Sequence, residues 1–133
     1  MRDDIWLKKR MDNIWELLFP EISRLNNVNI RFKGKWKNKF GHIMKKTKDT
    51  EIVINGLFKE LKVPEYIIDI TIAHELVHYA HGFNSPLPRL HKHPHKGGVV
   101  TKELTKRGFG HLLRKEKVFT KKEWLGMYKS LKP

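Results

Sequence analysis

Residues 64–82 read Pro64-Glu65-Tyr66-Ile67-Ile68-Asp69-Ile70-Thr71-Ile72-Ala73-His74-Glu75-Leu76-Val77-His78-Tyr79-Ala80-His81-Gly82. Pro64 stands where a helix begins, Glu65 suits the positive end of its first turn, and Gly82 suits a left-handed helix end. A helix from about Pro64 to His81 follows. Ile67, Ile68, Ile70, Ile72, Ala73, Leu76, Val77 and Ala80 make it apolar around most of its circumference, which predicts burial in the middle of the fold. Two histidines and a glutamate in such a helix cost desolvation energy unless they have a task.

Residues four apart on a helix lie one above the other, so His74 and His78 can offer two imidazole nitrogens to one ion. From its place beside His74, the Glu75 carboxylate can take a proton from water on that ion, whose charge lowers the water's pKa towards about 7. The spacing predicts a Zn2+ site with Glu75 as general base. The bland alternative is a pair of hydrogen-bonded core histidines.

A catalytic zinc takes three protein ligands and keeps one position open, so a third ligand must come from farther along. The stretch from Phe83 to Lys96 contains Pro86, Pro88 and Pro94, reads as a loop, and carries His91, His93 and His95. His95 is the choice, because Gly97-Gly98 and a new helix follow it and let the chain turn back over the motif helix. His93 is the alternate. Glu103, on that following helix, is a rival ligand or a carboxylate that orients an imidazole. His81, at a helix end, reads as a cap interacting with the negative end of the dipole, and His42 and His111 read as structural.

Outward from the motif, Asp3 or Asp4 can cap a first helix with apolar positions Ile5, Met11, Ile14, Trp15, Leu18 and Ile22, which Pro20 ends or restarts. Val28 to Phe32, Phe40 to Met44 and Glu51 to Ile54 read as three strands of a small antiparallel or mixed sheet. Val99, Val100, Glu103 and Leu104 begin a helix ending near Gly108. Thr120 and Glu123, spaced as a capping box, announce a last helix in which Trp124 and Tyr128 lie one turn apart. The expected class is α+β, one domain over residues 1–133, with the sheet packed on the central helix between N-terminal and C-terminal helices.

The chain has no cysteine, which removes disulfides, Cys-ligated zinc and thiol catalysis together. Charges scattered through Met1 to Arg10 and the lack of a long apolar run predict no secretory signal and no membrane span, hence a cytoplasmic protein. A formal net charge of +14 favours nucleic acid and other polyanions. Lys33, Lys35, Lys37 and Lys39 interleave with Trp36 and Phe40, a pattern of either a phosphate-and-stacking surface or a solvated hairpin with two aromatics turned inward; the second is preferred. Of groups that could stabilise an oxyanion, Tyr66, Tyr79 and Arg89 are polar candidates.

Three features in order, namely the glycine-punctuated strand region ending in Glu51-Ile52-Val53-Ile54-Asn55, the run Ile72-Ala73-His74-Glu75-Leu76-Val77-His78, and His95 before Gly97 and a helix, give the chain its likeness to a known group. Over about Val28 to Phe109 it resembles the SprT-like family of zinc metallopeptidases. The resemblance implies a zincin-type fold with a cleft between sheet and motif helix, zinc on His74, His78 and His95, Glu75 as base, and a protein or peptide substrate. Some members degrade proteins crosslinked to DNA. Two departures stand out: Lys96 separates His95 from Gly97, and there is no cysteine-based zinc ribbon, so any nucleic acid must meet the chain's own basic surface. The competing expectation is a basic nucleic-acid-binding module with a structural metal and no peptidase activity.

Overall fold

The computed structural model describes residues 1–132. Its first helix, α1 (Asp4–Leu18), begins where Asp3 accepts a hydrogen bond from the Trp6 amide, and stops two residues before Pro20. Leu7, Met11, Ile14, Trp15 and Leu18 are its buried stripe. Ile5 is exposed, against expectation, because the stripe runs through Leu7 one turn before Met11.

Three strands follow: β1 (Val28–Lys33), β2 (Gly41–Lys46) and β3 (Asp49–Asn55). The sheet is mixed, in the order β1-β3-β2, with β1 parallel and β2 antiparallel to β3. The polar run 45–50 is a tight hairpin, since Lys46 pairs with Asp49 and leaves only Thr47 and Lys48 in the turn. β3, paired on both sides, is buried along almost its whole length, while β1 alternates.

The motif helix, α2 (Glu65–Ala80), has Pro64 before it and Gly82 just beyond its end in the left-handed conformation (φ 77°). Ile67, Ile68, Ile70, Ile72, Ala73, Leu76, Val77 and Tyr79 are each 1 % exposed or less, so this helix is the centre of the apolar cluster. It packs on α1, β2 and β3, and on the first two of the three helices that follow it.

Those are α3 (Val99–Lys106), α4 (Gly110–Lys122) and α5 (Trp124–Leu131). Here the sequence expectation needs correcting. Thr120 does not cap a last helix; it lies inside α4, and the break falls at Glu123, whose side chain makes no capping bond. Fully buried Phe119 carries α4 through the supposed boundary. Among the described residues the architecture is α+β, five α-helices and one small mixed sheet, and no helix is long and apolar enough to cross a membrane.

Candidate metal centre

His74 and His78 project from consecutive turns of α2 with their Nε2 atoms 3.1 Å apart. The loop after Gly82 returns to them. Its start is pinned to helix and sheet: Ser85 donates to the Tyr79 carbonyl at 2.8 Å, Asn84 donates to the Ile43 carbonyl at 2.9 Å, and Thr50 donates to the Asn84 carbonyl at 2.9 Å. Gly82 has no room for a side chain, because a Cβ there would lie 2.2 Å from the Pro88 carbonyl oxygen. At the loop's far end Gly97 and Gly98, both at positive φ, turn the chain into α3. His95 sits just before that reversal, with its ring 4.5 Å from His78 and 5.7 Å from His74.

One nitrogen from each of His74, His78 and His95 lies within 4.8 Å of the others, a group that could hold a metal ion. The donor chemistry fits. Two Nε2 lone pairs facing each other at hydrogen-bond distance can share at most one proton, whereas a cation between them satisfies both. Burial, with the neighbouring imidazoles adding to it, lowers His74 to about 4 and His78 to about 3, so both rings are neutral at pH 7, the form that can bind a metal. His78 Nδ1 is buried without a partner, and lacks the carbonyl or carboxylate that usually orients a ligand imidazole.

Glu75 is 4 % exposed, and burial raises its carboxyl to about 8, offset in part by the charge of Lys39. With His74 it lines a cavity of about 300 Å3 whose other walls are Asn38, Lys39, Phe40, Gly41, Thr71 and Glu116. The 34–40 segment is held there by buried Asn55, which donates to the carbonyls of Trp36 and Lys39 at 2.8 and 2.9 Å and accepts from the Leu57 amide.

The remaining sequence candidates are placed elsewhere. His93 is exposed and outside the histidine group. Glu103 faces His81 Nε2 at 3.2 Å and accepts from Arg107 at 2.8 Å, so it lies outside the histidine group and orients none of its rings. The arginine claims that carboxylate from one helical turn away. His81 does stand at the C-terminal end of α2, with Glu103 as its side-chain partner, and His91 packs on its ring at 4.7 Å. Tyr79 bonds Asn26 and the Leu25 amide, Tyr66 lies under Lys115, and Arg89 donates to carbonyls of its own loop; none lines the cavity.

Trp36 and Phe40 also have partners. Lys39 lies over the Trp36 ring at 4.3 Å and His42 tilts against it, while Phe40 meets Phe58 and Trp124 edge-on. Of the lining residues the sequence did not single out, Thr71 was within reach, being one turn before Glu75. Glu116 was not, because α4 fully buries only Phe119 and so carries little apolar pattern to mark it. Comparison of the chain with protein-family models, curated proteins and solved structures finds no match.

Proposed function

We propose that this chain is a zinc-dependent endopeptidase of zincin type, related in arrangement to the SprT-like enzymes. The observation that carries the proposal is the grouping of His74, His78 and His95, with Glu75 beside His74 on the wall of one cavity. Neutral imidazoles suit zinc among the available divalent ions, and three of them leave a coordination position free. When bound, the ion supplies Lewis-acid polarisation of a carbonyl, acidifies water, and favours the ionised form of the neighbouring Glu75.

The chain's own residues supply the rest. Glu75 takes a proton at its carboxylate from the attacking water and returns it to the leaving amine. Its burial excludes bulk water from that exchange. β2 is an outer strand of the sheet and begins at Gly41 on the cavity wall, so an extended peptide can add beside it and pass Glu75. Lys39, on the wall of the same cavity, favours the ionised form of Glu75 through its charge.

Net charge favours substrates associated with nucleic acid. The test is cleavage of reduced, unfolded casein by the wild type and by Glu75→Gln, with zinc content measured on both. Glu75→Gln is expected to keep its zinc and lose cleavage by about a thousandfold or more. Undiminished cleavage by that variant sinks the mechanism.

A further inference from the structure

The cavity at Glu75 continues beyond it. A second cavity of about 580 Å3, bounded in part by Lys37, Trp124 and Leu125, shares Asn38, Phe40 and Glu116 with the first. The two make one groove with Glu116 at the junction. Its walls are held in place: Trp124 donates from Nε1 to the Lys37 carbonyl at 2.7 Å and packs edge-on against Phe40 at 5.3 Å.

Glu116 is a second carboxyl group on this wall, half-buried on α4. Among the described residues it makes no hydrogen bond or ion pair, and burial raises its carboxyl above the usual carboxylate range. Such a group is complemented by a cation arriving from outside. We infer, on the basis of the peptidase reading, that Glu116 determines specificity by binding the cationic side chain of a substrate lysine or arginine beside the scissile bond.

The surroundings match that occupant. Phe40, Trp124 and Leu125 offer apolar surface to a methylene stem, and the two rings favour a nearby cation. Lys37, Lys39 and Lys121 also border the groove, but all three are exposed, where solvent and salt screen their repulsion over about 8 Å. The ammonium of Lys39 is engaged with Trp36.

The test uses zinc-loaded, full-length Glu75→Gln protein and N-acetylated, fluorescein-labelled octapeptides that differ only in a central lysine, norleucine or glutamate. The lysine peptide is expected to bind about tenfold tighter than the norleucine one, a charge-assisted hydrogen bond's worth of discrimination. Adding Glu116→Gln brings the two together, and adding Glu116→Lys shifts the preference to the glutamate peptide, a gain that misfolding cannot imitate. Equal binding of lysine and norleucine peptides to the parent, or a lysine preference that survives Glu116→Gln, overturns the inference. So does a Glu116-dependent gain on removing the acetyl group from the norleucine peptide, which would assign the carboxyl to a free α-amine. Casein cleavage by the wild type is read separately. Lysine selectivity without cleavage would sink the peptidase reading and leave the cation site standing, whereas cleavage without selectivity would sink the cation site alone.

Discussion

Glu75 and the two helix histidines give the metal-free protein opposing pH dependences. Glu75 titrates near the ordinary carboxyl value of 4.5 when unfolded and at about 8 when folded. Its contribution to stability is therefore complete below pH 4.5 and is lost as pH rises through 8. His74 and His78 titrate below the ordinary imidazole value of 6.5, at about 4 and 3, so their contribution is present above pH 6.5 and is lost as pH falls through the folded values. In excess chelator, stability should rise with pH up to about 6.5 and then fall towards pH 8, by an amount on the order of a few kcal/mol. Urea unfolding at pH 6, 7 and 8 measures it, and Glu75→Gln should abolish the alkaline fall. Parallel profiles for the two proteins would contradict the burial argument. These residues were legible because four-residue spacing on a helix is local information, and His95 because two glycines mark a chain reversal. Glu103 lies apart from the histidine group because its partner Arg107 is only one turn away, and a sequence does not reveal which of two attractions wins.

At the level of elements, Asn55 shows how one side chain builds a wall of the site. It is wholly buried and joins the end of β3 to two carbonyls of the 34–40 segment and to the Leu57 amide. Asn55→Ala leaves those carbonyls without their donor, and should destabilise the protein by about 2–3 kcal/mol in thermal or urea unfolding. The boundary between α4 and α5 makes a contrary case. Were Thr120 a helix cap, Thr120→Ala would cost about 1 kcal/mol; as an exposed residue within α4 it should cost less than about 0.5 kcal/mol. The α2 ends were readable from Pro64 and Gly82, and the strands from their apolar runs. The parallel pairing of β1 with β3 was not specified by those runs, because strand order depends on long-range packing and not on local pattern.

Over the whole molecule, the +14 charge is spread and the two aromatics suspected of stacking on bases are already packed. Binding to a mixed-sequence DNA duplex should therefore be electrostatic, weakening steeply between about 50 and 200 mM salt, while Trp36→Ala leaves the salt slope unchanged in an anisotropy titration. The same scale explains Arg107. It donates to Glu21 at 2.7 and 2.9 Å, to Glu103 and to the Leu18 carbonyl, and lies over Phe19 at 4.3 Å, so the end of α1 is tied to the end of α3 across 86 to 89 residues of chain. A knot of such sequence separation closes only after most of the chain has collapsed, because loop-closure entropy opposes its early formation. Arg107→Ala should therefore leave the refolding limb of a chevron nearly in place and raise the unfolding limb, making the arginine a latch on the protein's lifetime more than a guide for its folding.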